Sequence, residues 1–400
     1  MSCIYLVGTA DTKGDELAYL RALIAAEFPD VLCLHLGTQE PTIPVDVSNV
    51  EIARHHRNGA DAVLQNQDRG TAVAAMGAAF AVYCRDHSKD IAGIIGIGGG
   101  GGTSIVTSGM RELPYGVPKV MVSTLASGDV APYVDISDIN MFPSITDIAG
   151  LNQISRAILH NAAQALIGMV KSPYLAVTNA KKAVGLSMFG VTTPSVTGIT
   201  DRLADQFDCL VFHATGTGGR AMERLLADGL LDGLLDITTT EIADLLFGGV
   251  LPANADRLDI VAKTGLPYVG SVGALDMVNF WAPGSVPEKF KDRWFYHHNP
   301  NVTLMRTTPA ECAELGHWIA DKLNACEGPV RFLIPEKGIS ALDIEGGDFW
   351  DPAADTALFE ALKSRIHQTE NRKLIFLPHH INDPAFSAAA ANAFLEINQD

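Results

Sequence analysis

The chain has 400 residues, length enough for two or three domains of roughly 150 residues each, and its 47% apolar against 19% charged residues exclude intrinsic disorder. With 29 Lys and Arg against 46 Asp and Glu the formal net charge is −17, which repels phosphate backbones, and no Lys/Arg run supplies the basic stripe of a nucleic-acid groove. An anionic ligand must then be held locally, by backbone N–H groups, a helix N-terminus or one placed cation.

The opening Met-Ser-Cys-Ile-Tyr-Leu-Val-Gly has no basic segment before its short apolar run, so it does not read as a signal peptide. No apolar stretch approaches the roughly 18 residues of a membrane span. Cys3, Cys33, Cys84, Cys209, Cys312 and Cys326 are scattered without C-x-x-C spacing, and several sit in apolar runs. Reduced, buried thiols and a cytoplasmic location are expected.

Ile4 to Val7 is predicted as a strand, closed by Gly8-Thr-Ala-Asp-Thr-Lys-Gly14 and followed by a helix with Leu17, Leu20, Leu23 and Ile24 at helical spacing. Val31 to Leu36 and Ala60 to Leu64 are the next predicted strands, and Thr71 to Cys84 an Ala-rich helix. Ile91 to Ile97, apolar on both faces, and Pro118 to Val122 follow as strands of a buried parallel sheet. Residues 147 to 170 read as one long helix stopped by Ser172-Pro173, and Asn179-Ala-Lys-Lys182 as an exposed connection. These signals divide the chain into an N-terminal lobe, 1–178, and a C-terminal lobe, 179–400.

Beyond residue 182 the pattern restarts. Ala183 to Phe189 is a strand closed by Gly190-Val-Thr-Thr-Pro-Ser195, with a helix over Val196 to Asp205. Leu210-Val-Phe-His213 echoes Leu32-Cys-Leu-His35, Leu234-Leu-Asp236 stands where Ile94-Ile-Gly96 stood, and Thr264 to Gly270 echoes Tyr115 to Met121. Val330 to Ile334 and Lys373 to Leu377 are further strands, separated by a helix near Thr356 to Gln368. Strands alternating with helices imply right-handed βαβ crossovers. The expected fold is α/β: two Rossmann-like, three-layer α/β/α lobes with mostly parallel sheets, facing a central cleft.

The sharpest local signal is Gly96-Ile-Gly-Gly-Gly-Gly-Gly-Thr-Ser104, directly after a buried strand. Gly98, Gly99, Gly100, Gly101 and Gly102 strip every Cβ from a turn at the carboxyl end of the sheet, where ligands bind and backbone approaches phosphate. Thr103, Ser104 and Thr107 add hydroxyls, Arg111 closes the stretch, and the helix dipole favours an anion. The competing reading is a packing turn, yet five glycines cost roughly 0.5–1 kcal/mol each, more than a turn needs. In the first loop, Gly8, Thr9, Asp11, Thr12 and Lys13 put hydroxyls, a carboxylate and an ammonium beside strand one. Lys13 suits a phosphate as a point charge, and Asp11 suits Mg²⁺ or a ribose hydroxyl. The alternative there is an N-capping turn. This first loop has neither Walker A nor G-x-G-x-x-G spacing.

Ser123 and Thr124 follow the fifth strand. In the second lobe, Thr215, Thr217, Gly218 and Gly219 follow one strand and Thr239 another, and His298 and Arg306 lie in His297-His-Asn-Pro-Asn-Val-Thr-Leu-Met-Arg306. These seven are candidates for the cleft. Adjacent histidines at His55-His56, His297-His298 and His379-His380 point apart and chelate one metal poorly. No H-E-x-x-H or G-x-S-x-G motif occurs.

Taken together, Gly8-Thr-Ala-Asp-Thr-Lys-Gly14, the run Gly98 to Thr103 with Met110-Arg111, Pro118 to Thr124, Asp138-Ile-Asn-Met141, Asp147 to Asn152, His298 to Arg306 and His380-Ile-Asn-Asp-Pro384 resemble an uncharacterised bacterial family. That family is related to the N-terminal region of a plant tobamovirus resistance protein. In the plant protein this region binds ATP and inhibits viral RNA replication by contacting the viral replication protein. The resemblance covers essentially the whole chain. It implies two α/β subdomains, ATP in the N-terminal one and a homodimer; the antiviral role does not carry over.

Two function classes follow. One is an ATP-dependent or phosphate-handling enzyme acting on a small polar metabolite in the cleft. The other is a nucleotide-gated, dimeric protein-interaction module without turnover. Residues 147–170 carry Ile148, Leu151, Ile154, Ile158, Leu159, Ala162, Ala165, Leu166 and Met169 over more than one stripe, so burial on both sides and a homodimer are expected.

Overall fold

The computed structural model describes residues 2–66, 68–172 and 181–398. Two compact units divide the chain, residues 1–176 and 177–400. The first lobe runs β1 (Cys3–Gly8), α1 (Gly14–Ala25), β2 (Val31–His35), α2 (Asn49–Ala53), α3 (Asp61–Leu64), α4 (Arg69–Asp86), β3 (Ile91–Gly98), α5 (Gly100–Met110), β4 (Lys119–Ser123), α6 (Ala131–Val134), β5 (Asn140–Pro143) and α7 (Gln153–Lys171). Its five strands are parallel in the order β2-β1-β3-β4-β5. Successive strand residues face opposite layers: Tyr5 and Val7 pack with Met76 and Phe80 of α4, while Ile4 and Leu6 pack with Leu17 of α1 and Leu166 of α7. That period of two, buried on both faces, makes the lobe three layers deep.

The second lobe runs β6 (Lys182–Met188), α8 (Thr193–Leu203), β7 (Phe207–His213), α9 (Thr217–Ala227), β8 (Gly233–Thr238), α10 (Thr240–Phe247), α11 (Asp259–Thr264), β9 (Tyr268–Gly273), β10 (Met277–Phe280), β11 (Phe295–Asn299), β12 (Val302–Arg306), α12 (Pro309–Asn324), β13 (Val330–Pro335), α13 (Pro352–Arg365), β14 (Arg372–Leu377) and α14 (Pro384–Ile397). Six strands form a parallel sheet, β14-β13-β9-β8-β6-β7, and β10-β12-β11 form a separate antiparallel one. Read from β7, the large sheet repeats the strand path of the first lobe. The echoing segments therefore occupy matching places: β2 with β7, β3 with β8, β4 with β9. Both lobes are Rossmann-like α/β folds.

Three expectations need correction. Ala60 to Leu64 is not a strand but the helical turn α3, because its apolar Ala60, Val63 and Leu64 recur at i, i+3 and i+4. The long helix begins at Gln153, not 147. Asn152 caps it by accepting from the Ile154 and Ser155 amides, and residues 147–152 form the approach. That helix also buries a single stripe: Leu159, Ala162, Ala163, Leu166 and Ile167 turn inward, whereas Arg156, His160 and Asn161 are exposed. A helix apolar on both sides was the premise of the dimer, and this helix does not supply it. Of the expected connection, Asn179 and Ala180 lie outside the described residues, and Lys182 already starts β6. Among the described residues no helix is long and apolar enough to cross a membrane.

Candidate functional site

In the first lobe the connections leaving β1 and β3 diverge, since β1 leads to β2 on one side and β3 to β4 on the other. Such a switch point opens a crevice at the carboxyl ends of the strands. The crevice is present, with a volume of about 660 Å³. It is lined by the loop after β1 (Thr9, Asp11, Thr12, Lys13), by Gly99 to Gly102, and by Leu36 to Gln39, Asn66, Arg69, Ala72, Val73, Met76 and Ile105.

The glycine run is the first turn of α5, with Gly99 as its N-cap. The first intrahelical bond is donated by the Thr103 amide to the Gly99 carbonyl, so the preceding N–H groups lack intrahelical acceptors. Packing explains only one of the five glycines. A Cβ on Gly98 would come within 2.7 Å of the Gly102 carbonyl carbon and the Thr103 nitrogen, which are backbone and cannot yield. On Gly99, Gly100, Gly101 and Gly102 the nearest atoms would be 3.4–3.7 Å away, ordinary van der Waals distance. None of these five has a positive φ. Gly100, Gly101 and Gly102 thus forgo helix propensity where the fold would accept alanine, and the face left bare is the wall of the crevice.

The side chains around that turn carry positive charge. Lys13 and Arg69 are the cations of the lining and Asp11 its carboxylate, in a chain of net charge −17. Lys13 Nζ donates to the Ile148 carbonyl at 2.5 Å, which anchors the ammonium at the crevice edge. Thr9 and Thr12 share a hydroxyl–hydroxyl bond of 2.8 Å. Asp11 Oδ2 accepts from the Gln39 amide at 3.2 Å, while its Oδ1 is buried without a hydrogen-bond partner. Behind the loop sits His35, fully buried. Its Nδ1 accepts from the Ala10 and Gly37 amides at 3.0 and 3.2 Å, which leaves Nε2–H to donate to the Gln39 carbonyl at 2.8 Å. His35 therefore splices the loops after β1 and β2.

Several expected ligand groups are committed to the scaffold instead. Gly8 is the buried last residue of β1, where a Cβ would press on Leu17 and Ile97 at 3.2–3.3 Å. Thr103 and Ser123, both fully buried, share a 2.6 Å hydroxyl bond that ties the first turn of α5 to the end of β4. Thr107 is buried and donates to the Thr103 carbonyl one turn back. Arg111 caps the far end of α5 and donates to the Pro132 and Tyr133 carbonyls. Thr124 does stand by the glycines, its Oγ1 3.7 Å from where a Gly99 Cβ would lie. Arg69, Asn66 and Gln39 line the crevice although sequence reasoning missed them. Arg69 opens α4, and an Arg just after the N-cap Asp68 was the available signal.

The Gly/Thr loops of the second lobe are closed. Gly216, at φ +81°, and Gly219 donate their amides to Glu241 Oε1 at 2.7 and 3.0 Å, so the N-terminus of α9 already holds an anion from its own chain. Gly218 is required because a Cβ there would strike the His213 carbonyl. Thr215 hydrogen-bonds the same carbonyl, and Thr217 is exposed on the first turn. Below them Arg257, fully buried, meets Asp236 at 2.8 Å, Glu223 at 2.6 Å and Glu241 at 3.3 Å. Burial works against the Arg257 charge, but the carboxylates of Asp236, Glu223 and Glu241 outweigh it and hold the guanidinium above its ordinary range. Burial pushes the Glu223 carboxyl up. Thr239 is fully buried and donates to the Ser271 carbonyl, so it is not on a cleft surface. Arg306, likewise buried, is bonded to Phe349, Thr307 and Asp355. His298 is exposed on β11. The glycine signal thus had opposite causes in the two lobes: packing in the second, bare backbone in the first.

Two family models match consecutive parts of the chain: the N-terminal domain of the uncharacterised protein family UPF0261 over residues 2–174, and its C-terminal domain over 181–398. A UPF0261 protein of Rhizobium meliloti is 62% identical over 99% of both chains, and one of Clostridium tetani is 42% identical over 98% of both. The tomato (Solanum lycopersicum) ToMV resistance protein Tm-1(GCR237) is 40% identical over 99% of this chain, which spans 56% of that protein's length. The chain belongs to the UPF0261 family.

Proposed function

We propose that the first-lobe crevice binds ATP through its phosphates. The observation that supports this most directly is the first turn of α5: four glycines that packing does not require, N–H groups without intrahelical acceptors, and Lys13 and Arg69 beside them. A helix N-terminus with bare amides is an anion site, and flanking cations reinforce it. Lys13 would take a terminal phosphate oxygen as a point charge. Arg69 offers a planar fork to another. Asp11 Oδ1, buried and without a donor, is the oxygen that fits Mg²⁺ or a ribose hydroxyl. Ala72, Val73, Met76 and Ile105 give the crevice an apolar wall for a base, and about 660 Å³ lies within the range of nucleotide-sized sites.

What the bound nucleotide does divides two readings. An ATP-dependent or phosphate-handling enzyme needs a general base; the described lining offers one carboxylate, Asp11, and no histidine or cysteine. That lining favours a nucleotide-gated interaction module, as does a relative named for virus resistance rather than for a reaction. A thermal-shift screen of nucleotides with and without Mg²⁺, followed by a turnover assay, tests both. Stabilisation by ATP without turnover in any metabolite mixture supports the module. Steady phosphate release supports the enzyme. No shift with any nucleotide overturns the site itself.

A further inference from the structure

Lys13 is the N-cap of α1 and Glu16 lies in its first turn, a spacing of three that puts both on one helix face. Both reach the same stretch of backbone, residues 144–150, which leads from β5 towards α7. Lys13 Nζ donates to the Ile148 carbonyl at 2.5 Å, and Glu16 Oε1, on a residue 2% exposed, accepts from the Gly150 amide at 2.6 Å. At its other end the stretch is held by the Ser144 amide, which donates to the Ser123 carbonyl at 3.1 Å. Between them the Ile148 side chain is buried in the apolar layer of Leu17 and Leu159. The start of α1 thus clasps this strap twice, cation to carbonyl and carboxylate to amide.

The strap also carries costs. Ile145 sits at φ +63°, a left-handed conformation that a β-branched residue rarely adopts, and at 74% exposure no packing offsets it. Gly150 sits at φ +92°. Thr146 Oγ1 is buried without a hydrogen-bond partner. A segment with such costs and few ties opens locally at low free energy.

The Lys13 ammonium carries three N–H donors on a flexible four-carbon stem. The Ile148 carbonyl takes one and keeps the ammonium at the crevice edge, and the other donors can turn to a phosphate. Carbonyl and phosphate then share one cation, and each holds it in place for the other. Linkage makes the effect mutual: a closed strap favours the nucleotide, and the nucleotide favours a closed strap.

We propose, on the reading that the crevice holds ATP, that residues 144–150 are a nucleotide-responsive strap. Ile148 and Gly150 are positioning residues that act on the nucleotide through Lys13. Closure of the strap by the bound phosphate fixes the exposed Ile145 on the surface of the lobe, which gives nucleotide occupancy a readout outside the crevice.

Hydrogen exchange of the full chain with and without ATP and Mg²⁺ tests this, beside ATP titration calorimetry. Exchange of the 144–150 amides should slow by about tenfold or more when ATP binds, the gain of one charge-assisted tie. Gly150→Ala puts a methyl where, among the described residues, nothing lies within 4 Å, and Gly150 does not line the crevice. Its left-handed φ resists alanine, so the strap should open and ATP affinity fall by about fivefold or more. In a Lys13→Ala background the same substitution should change affinity by less than about twofold, because the residue it acts through is gone. Glu16→Gln, which keeps the shape but not the charge that holds Gly150, takes its place if Gly150→Ala does not fold. No ATP binding by the native chain overturns the nucleotide reading and the strap with it. ATP binding with unchanged exchange over 144–150 overturns the strap alone. So does a loss of affinity from Gly150→Ala that is equally large with and without Lys13.

Discussion

Replacing Gly100 and Gly101 together by alanine should make the apo protein more stable and the nucleotide complex weaker. Added methyl groups would meet only Leu125 Cδ1 at 3.7 Å and Val73 Cγ2 at 3.4 Å, so neither forces the fold to move. Both positions lie in the first turn of α5 at negative φ, where Gly→Ala recovers about 0.5–1 kcal/mol apiece. The pair should therefore add about 1–2 kcal/mol, which raises the melting temperature of a lobe of this size by about 2–8 °C. The same methyls stand in front of the amides that meet phosphate, and a displaced contact of about 1.4 kcal/mol lowers ATP affinity tenfold. Differential scanning calorimetry and ATP titration on one preparation read both quantities. Gly98→Ala is the contrast: its Cβ meets backbone at 2.7 Å and should destabilise the lobe. The reasoning fails if the double variant melts lower than the native protein, which would make those glycines packing residues. It fails equally if the variant binds ATP as well as before.

Lys13→Ala removes a charge-assisted phosphate contact worth about 1.5–3 kcal/mol, so ATP affinity should fall at least about tenfold; an unchanged dissociation constant would place the ammonium elsewhere. Arg257→Met leaves Asp236, Glu223 and Glu241 buried around an apolar chain and should cost about 3–5 kcal/mol in urea unfolding of the second lobe, whereas a near-neutral result would show those acids to be protonated. Asp276, Asp343 and Asp355 hold protons in the folded state that the unfolded chain has released, so stability should decline as pH rises from the ordinary carboxylate range towards neutrality. Asp343→Asn removes one of these proton-binding groups and should flatten that decline in urea titrations between about pH 5 and pH 8; a slope as steep as the native one refutes the assignment. For a homodimer, light scattering should give twice the 42.6 kDa chain mass, and a monomer mass at micromolar concentration rejects it.

Much of the fold was legible because buried parallel strands write themselves as apolar runs. Ile91 to Ile97 is apolar on both faces, Val330 to Ile334 is apolar but for Arg331, and both are interior strands. What escaped was short or half exposed: β5 is an edge strand of four residues with no buried position, and the antiparallel β10-β12-β11 interrupts the alternation that the rest obeys. The Ala60 to Leu64 error shows the limit of a five-residue apolar run, which a helical turn and a strand read alike. The site divides along a different line. A glycine run announces bare backbone, but the sequence does not say whether a ligand or the protein's own atoms approach it. In the loop of Gly218 and Gly219 the approach is internal, by the His213 carbonyl and the Glu241 carboxylate. At Gly99 to Gly102, among the described residues, the nearest atoms would lie 3.4–3.7 Å from an added Cβ. Hydroxyls mislead for a related reason: Thr103 and Ser123 sit where a phosphate donor would be drawn, and their 2.6 Å bond to one another instead fastens the first turn of α5 to the end of β4. That bond holds the α5 turn in place at the switch point, so the residues the sequence offered as ligand contacts include the ones that aim the amides. A variant such as Ser123→Ala would therefore act on affinity through the position of α5, with lobe stability falling alongside it, whereas Lys13→Ala acts on affinity directly and costs the lobe only the bond to the Ile148 carbonyl.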